Sequence, residues 1–589
     1  MDDLERSRDL YEAVGGYPAP PQVPLPAPDD PDALQAYGLS PHPAAHALLR
    51  GAMALSGFSA FLHQAPATIE NLLRTVNLRG PALFAPAVAA TLALAEDARA
   101  LTPFERAATL VCAAWSLRDA VFTGALAPDT YGGQPLEMGQ YPNLFGTSLI
   151  CDDAQARLFK TARTDQLTVV VGGRFFVLPV TDWRSPEAVR QLAQDLADLA
   201  ERARSAPADP GASAGPLSAA SDATQRRLFP LLRGQPDNAA ALDTLRHSLL
   251  TLCLDLETTP ATAAEAAYHA HSGSPANRWF HASLQLVVFG NARACAIAHF
   301  SAYLDGNTMM RGAAEIQRRA AAGPLAGPTG PRPANGRAHE LRWQIDSAWQ
   351  EQVEHDLASL RAPAPATFVL EGFGRSYFER QRVDAVPAFV VALQRTANRL
   401  AGQPAAITQF LAMSRYRCMD LVTGMMSTPE VQRCAAALDD PNVDAPLWGA
   451  LLQAAHDSQA REARRARQAI PYDDLLALFM LSRRRGWPRQ RALAVAAVTF
   501  GLLRAFGWLR VPGRQVLISH PEVYPEIPVV GRPGARLPYV RDFGLHYQIL
   551  ADQITLTVMP SLTWRVPNAE LAADLHGSLA AMATRLAAR

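Results

Sequence analysis

The stretch NRWFHASLQLVVFGNARACAIAHFSAYLDG, Asn277 to Gly306, decides the reading of the chain. It contains two short apolar runs, Leu284 to Phe289 and Ala294 to Phe300, separated by the turn cluster Gly290-Asn291-Ala292-Arg293. That pattern predicts a β-hairpin. Side chains alternate along a strand, so Cys295, Ile297 and His299 share one face, and His299 stands where the strand opens into a loop. A neutral imidazole, with a pKa near ~6.5, can take a proton from a hydroxyl and return it. A lone histidine after an apolar strand is more often a hydrogen-bonded structural residue, and the pattern by itself does not choose catalysis.

Working outward, 589 residues are too many for one core and predict at least two domains. A hydrophobic share of 49% against 19% charged describes an ordinary globular protein with a large interior. Basic and acidic residues balance at 55 each, which argues against nucleic acid and against an anionic membrane surface as partners. Lys160 is the only lysine, so any phosphate site must use arginine forks and backbone amides. Six cysteines without CxxC spacing read as reduced, mostly buried thiols of a cytoplasmic protein. The charged start MDDLERSRDL resembles neither a secretory signal nor a transit peptide. The longest apolar run, Ala492 to Leu503, is twelve residues and predicts a core helix, because a membrane span needs about 20. His269, His271 and His281 lack a carboxylate or thiol at ligand spacing, so no metal site is predicted.

In chain order, Tyr17 to Pro31 is a proline-rich arm, Pro43 to Asp97 has helical periodicity, and Pro103 to Ala120 predicts a further helix. Tyr131 to Ile150 (YGGQPLEMGQYPNLFGTSLI) reads as a loop. LTVVV-GG-RFFVLPV is a second hairpin turning on Gly172-Gly173, and Pro186 to Arg204 a helix with its apolar stripe at Val189, Leu192, Leu196 and Leu199. GASAG, Gly211 to Gly215, matches a nucleophile elbow by letter, but both sides read as loop, which removes Ser213 as a nucleophile. Ala321 to Arg337 is a low-complexity connector and the best domain boundary.

The run Asn277-Arg278-Trp279-Phe280, followed by the strand pair, His299 and Asp305-Gly306, resembles the choline and carnitine acyltransferase family, where such a run precedes the strand bearing the catalytic histidine. A second family segment, PL-x-M-x-Q-Y followed by F-G-T, is kept as Pro135, Leu136, Met138, Gln140, Tyr141, Phe145, Gly146 and Thr147. The resemblance covers roughly Pro18 to the C-terminus. It implies an α/β fold of two chloramphenicol-acetyltransferase-like domains facing each other across a central substrate tunnel. Residues 95–330 would form the catalytic domain, and residues 1–94 with 336–589 the donor- and acceptor-binding domain.

The same resemblance assigns the general base to His299, with Ser519, Ser414 and Asp305 as oxyanion or supporting groups. Arg375, Arg380 and Arg382 take the basic positions that grip coenzyme A, while Glu379 stands at a position usually basic. Without the resemblance, those arginines would be read as a solvated helix face. Acceptor contacts fall on Tyr141, Phe410, Thr423 and Asp473. Several departures count against carnitine: Phe410 replaces a tyrosine, Val422 an arginine, and Asp473 the arginine of the third carboxylate anchor. Two carboxylates buried together would force one to stay protonated. Pro521 replaces the serine that helps hold the oxyanion, and losing one such donor typically costs about 10² to 10³ in rate.

The function implied is acyl transfer from acyl-CoA, or from a phosphopantetheine thioester on an acyl carrier protein, to a hydroxyl or amine of a small acceptor other than carnitine. Specialised metabolism in a bacterium is the expected setting. The alternatives are a thioester hydrolase and a non-catalytic scaffold that binds an acyl thioester or a carrier protein. No permanently bound cofactor is implied, and a monomer is the default expectation.

Overall fold

The computed structural model describes residues 42–57, 89–131, 134–136, 138–151, 157–161, 165–180, 183–205, 213–299, 304, 306–323, 338–359, 366–412, 421–468, 487–508, 515–520, 529–531, 543–560 and 565–588. They fall into two compact units. The first takes in the described residues of Leu78–Thr367 and Pro521–Leu537, and the second those of Pro18–Asn77, Phe368–His520 and Pro538–Arg589. Each unit has its own sheet and its own helices, the mixed α/β class expected from the sequence.

The strands of the first unit's N-terminal part are β1 (Ala89–Ala93), β2 (Thr130–Tyr131), β3 (Gln134–Pro135), β4 (Thr147–Ile150), β5 (Arg157–Lys160), β6 (Gln166–Val171) and β7 (Arg174–Pro179). They continue with β8 (Thr251–Asp255), β9 (Leu284–Phe289), β10 (Ala294–His299) and β11 (His339–Leu341). With β16 (Val529–Gly531), the large sheet runs β11-β7-β6-β8-β9-β10-β1-β16. The predicted hairpin is its β9–β10 pair, antiparallel with Ile297 opposite Gln285. β6 and β7 form the second hairpin, whose Gly172 and Gly173 take φ angles of 58° and 75° that residues with a side chain rarely adopt.

Both faces of this sheet are covered, which is why its strands read as unbroken apolar runs. Ala294, Ala296 and Ala298 pack with the helices Pro103–Phe122, Pro186–Ser205 and Gly306–Ala322. Cys295 and Ile297 turn the other way, toward Trp279, Phe280, Phe229 and the helices Asp222–Arg233 and Ala263–Ser272. His299 continues that second face.

The second unit's sheet has the order β12 (Ala366–Glu371), β18 (Gln553–Pro560), β17 (Phe543–Ile549), β15 (Gln515–Ser519), β13 (Ala406–Ala412), β14 (Leu421–Met425). Strands β13, β15 and β17 are parallel, and β14 and β18 run antiparallel to their neighbours. Val516, Ile518, Phe543, Leu545, Tyr547, Leu556 and Val558 enter a core with Phe389, Trp448 and Leu575 from the helices Ala385–Ala401, Ala445–Gln468 and Asn568–Ala587. By alternation, Leu517, Ser519, Gly544, His546, Gln548 and Thr557 belong to the opposite face.

Several expectations are corrected. Of the helical pattern assigned to Pro43–Asp97, Pro43–Ser56 is a helix that ends at Gly57 with a φ of 80°, and residues 58–88 lie outside the described residues. Ala89–Ala93 is instead a strand between β10 and β16, and a strand buried on both sides offers no period to tell it from a helix. The loop Tyr131–Ile150 contains a turn of 3-10 helix, Tyr141–Leu144, and strand β4. Ser213 is followed by the short helix Gly215–Ala219. The apolar run Ala492–Leu503 does lie in a helix, Trp487–Ala505, but not in a core. Leu503 packs on Ala45, whereas Leu493 and Val498 are 50% and 62% exposed. The connector 324–337 is followed by β11 and the helix Ser347–Ser359, which stay with the first sheet, and β1 belongs to that sheet as well.

Candidate active site

The Asn-Arg-Trp-Phe run builds the frame on which the hairpin stands. Arg278 is 1% exposed and forks onto Asp255 at the end of β8, with Nη1–Oδ1 and Nη2–Oδ2 distances of 2.9 and 2.6 Å. Burial opposes its charge, and the Asp255 carboxylate outweighs that and raises its pKa. Its remaining protons go to the carbonyls of Ala270, Asn277 and His269. Asn277 donates to Asp255 Oδ1 and to the Leu254 carbonyl, and accepts from the Gly173 amide in the second hairpin's turn. Trp279 stacks on Trp343 with ring centroids 6.4 Å apart, and its amide donates to Gln285 Oε1 at 2.8 Å. The motif is therefore structural: it ties β8, β9 and the β6–β7 turn together.

His299 closes β10 and is 3% exposed. Its amide donates to the carbonyl of Ser283 at 3.0 Å. Ser283 in turn donates from Oγ to the Leu144 carbonyl (3.0 Å) and from its amide to the Thr147 carbonyl (2.9 Å). Backbone bonds thus bring the segment Met138–Thr147 and the histidine strand, read separately in the sequence, to one place. That segment is itself pinned. Lys160 donates to the carbonyls of Pro142 and Phe145 and to Thr147 Oγ1, and burial followed by the Arg118 charge pushes its ammonium down to about 7. Tyr141 is 1% exposed and donates its hydroxyl to the Asp129 carboxylate, which also pairs with Arg311. Gly312 lets the helix Gly306–Ala322 approach Leu144, where a Cβ would meet Leu144 Cδ1 at 2.8 Å.

His281 lies beneath the site. Its Nε2 donates to Gln225 Oε1 at 2.8 Å, and the Gln225 amide is itself oriented by the carbonyls of Ala220 and Ser218. Burial, then the charges of His299 and Arg246, hold its pKa down to about 3, so it is neutral. His271 meets Thr91 Oγ1 at 3.2 Å through Nδ1. Ser213 donates to the Ala276 carbonyl and accepts from the Gly215 amide, so its hydroxyl serves the frame. Cys295, on the face of His299, has its thiol pushed up to about 12 by burial, which leaves it without nucleophilic thiolate. Among the described residues, no group of three His, Cys, Asp or Glu could hold a metal ion.

In the second unit, one cross-strand row holds two of the acceptor positions expected from the sequence, Phe410 and Thr423, while Tyr141 belongs to the first unit. Thr423 is opposite Phe410, and Gln409 opposite Ile518, which sets Phe410 beside Ser519. Ser519 is opposite His546, and His546 opposite Thr557. Ser519 Oγ lies 2.7 Å from His546 Nδ1. His520 faces the other way, stacks on Tyr547 at 4.8 Å, and donates from Nδ1 to the Tyr547 carbonyl at 3.1 Å. The sequence reading missed His546. An unexpected histidine inside an apolar strand, FGLHYQI, was the available signal.

Arg375, Arg380 and Arg382 are exposed around the short helix Arg375–Arg380, and Glu379 is exposed among them. Arg382 holds a φ of 56°, unusual for a residue with a side chain. Ser414, Asp305, Asp473 and Pro521 lie outside the described residues, as does Cys418. The five described cysteines are buried. No helix among the described residues is long and apolar enough to cross a membrane.

A family model for the choline/carnitine O-acyltransferases matches residues 77–565. The chain belongs to this family. The peroxisomal carnitine O-octanoyltransferase of Bos taurus is 28% identical over 180 residues, covering 28% of this chain and 29% of the relative. The mitochondrial carnitine O-acetyltransferase of Saccharomyces cerevisiae is 24% identical over 210 residues, covering 35% and 31%. The chain thus spans less than a third of the length of either relative in these matches. Among solved structures, the first condensation domain of the calcium-dependent antibiotic synthetase superposes loosely. Its TM-score is 0.36 at 10% identity, over 88% of this chain and 94% of that one.

Proposed function

We propose that this family member transfers an acyl group from a thioester to a hydroxyl or amine of a small acceptor other than carnitine, with His299 as general base. The observation that carries the reading is the placement of His299. It is a buried imidazole at the end of a fully paired strand, with its backbone tied through Ser283 to the Met138–Thr147 segment. His299 takes the proton of the acceptor's O–H or N–H as the oxygen or nitrogen attacks the thioester carbonyl. The tetrahedral intermediate collapses with cleavage of the C–S bond, and the imidazolium returns the proton to the departing thiolate. No acyl-enzyme is needed. Proton transfer of this kind contributes roughly 10² to 10⁴ in rate.

Carnitine is disfavoured by its missing anchors: Phe410 and Val422 offer no hydroxyl or cation, and Asp473 would oppose a carboxylate. Thr423 survives. The exposed arginines Arg375, Arg380 and Arg382 suit an acyl-CoA donor, and Glu379 among them favours a carrier-bound phosphopantetheine arm, which lacks the 3′-phosphate. An acceptor drawn from specialised metabolism fits the altered anchors. Ser519, oriented by His546, is the described candidate to replace the oxyanion donor lost at Pro521, with Ser414 and Asp305 as further supports.

The test offers acyl-CoA and acyl-phosphopantetheine donors with and without alcohols and amines, and separates the products. Ester or amide formed only when acceptor is present supports transfer. Free acid at an acceptor-independent rate identifies a hydrolase, and no turnover with intact thioester binding leaves a scaffold.

A further inference from the structure

His546 carries a ring nitrogen that its contact with Ser519 leaves unused. His546 is 7% exposed and sits one strand over from Ser519, whose Oγ is 2.7 Å from its Nδ1. Among the described residues, the other ring nitrogen, Nε2, is buried and has no hydrogen-bond partner. Leaving such an atom unsatisfied is costly, because burial has removed the water that would otherwise pair with it. The strand row around it holds Phe410, Thr423, Ser519 and Thr557, with no lysine or arginine among them.

The chemistry of that nitrogen limits what can satisfy it. Burial, then the charge of His520, hold His546 down to about 3, so the ring is neutral and one nitrogen donates while the other accepts. If Ser519 donates to Nδ1, then Nε2 presents a proton. If Nδ1 donates to Ser519, then Nε2 presents a lone pair. A ligand hydroxyl satisfies either arrangement, because it both donates and accepts. A carboxylate only accepts, and beside a neutral ring it would be a buried anion without a counter-charge. An ammonium only donates and would be equally uncompensated.

We propose that His546, held by Ser519, binds a hydroxyl of an uncharged polyhydroxylated ligand. This ligand site stands on the second unit's own geometry and does not depend on the transfer reading given above.

Binding is therefore measured without turnover, in the His299→Ala chain labelled with nitrogen-15 histidine. The His546 signals are assigned by their loss in His546→Phe. Ethylene glycol and glycerol are titrated against ethanol, propanol and carnitine. The expected result is a saturable shift of the His546 ring nitrogens with the polyols alone. Their affinity should fall about 5- to 10-fold in His546→Phe, as befits one lost hydrogen bond, and recover in part in His546→Gln. Ser519→Ala leaves the imidazole in place and should weaken polyol binding less than His546→Phe. Equal shifts with the monohydric alcohols, a shift with carnitine, or no shift with any polyol would overturn the proposal. Polyol binding in a chain that never forms ester would leave this inference standing and remove the transferase.

Discussion

The two sheets hold a histidine in different surroundings. In the first unit, His299 ends a strand whose neighbours are all committed: Arg278 to Asp255, Asn277 to the β6–β7 turn, Ser283 to Leu144, Tyr141 to Asp129. In the second, His546 lies in the middle of β17 on the face opposite the core, beside Ser519. A reactive group needs a frame that nothing else can disturb, so its surroundings stay fixed. A specificity surface can change one side chain at a time, because alternation separates it from the core by a single residue.

The contrast can be broken most strongly at the frame. Asp255→Ala leaves the Arg278 guanidinium buried without its counter-charge, and should destabilise the protein by roughly 3–5 kcal/mol in denaturant unfolding. Ser519→Ala, on the face opposite the second core, should change the same measurement by only about 1 kcal/mol. An equal loss from both would erase the distinction between frame and surface.

His281 sharpens the comparison through pH. The unfolded chain protonates this histidine below about 6.5, whereas the folded chain holds it neutral down to about 3. Its contribution to stability is therefore complete above the unfolded value and is lost as the pH falls toward the folded one, at up to about 1.4 kcal/mol per pH unit. His281→Gln should remove one proton's share of that slope, and an unchanged slope would show that the ring is not buried neutral. The smallest effect belongs to Arg375, Arg380 and Arg382. Their replacement by glutamine should leave stability within about 0.5 kcal/mol. It should raise KM for acyl-CoA several-fold without affecting acyl-pantetheine, and equal effects on both donors would detach these residues from the phosphates.

Much of the first sheet was legible in the sequence. Both hairpins carry turn residues with strict geometric demands, and Asn277 to Phe280 stands directly before the strand it supports. β1 was not legible, since AATLA has neither alternation nor a flanking turn and becomes a strand only by pairing with β10 and β16. The apolar helix Trp487–Ala505 misled for the converse reason: hydrophobic content alone does not say what covers it. The contacts of Tyr141 with Asp129, and of Lys160 with the carbonyls of Pro142 and Phe145, were not legible, because their partners are not neighbours in the sequence. His546 was overlooked because its partner, Ser519, is twenty-seven residues away and adjacent only through parallel strand pairing.

The central claim is that His299 acts chemically and the framework around it does not depend on its ring. The direct measurement is the acceptor-dependent rate of thiol release in wild type and in His299→Ala, with the unfolding midpoint of each recorded alongside. The account predicts a rate loss of roughly 10² to 10⁴ at a nearly unchanged midpoint. A variant that turns over at the wild-type rate, or that loses activity only in proportion to lost folded protein, would contradict it.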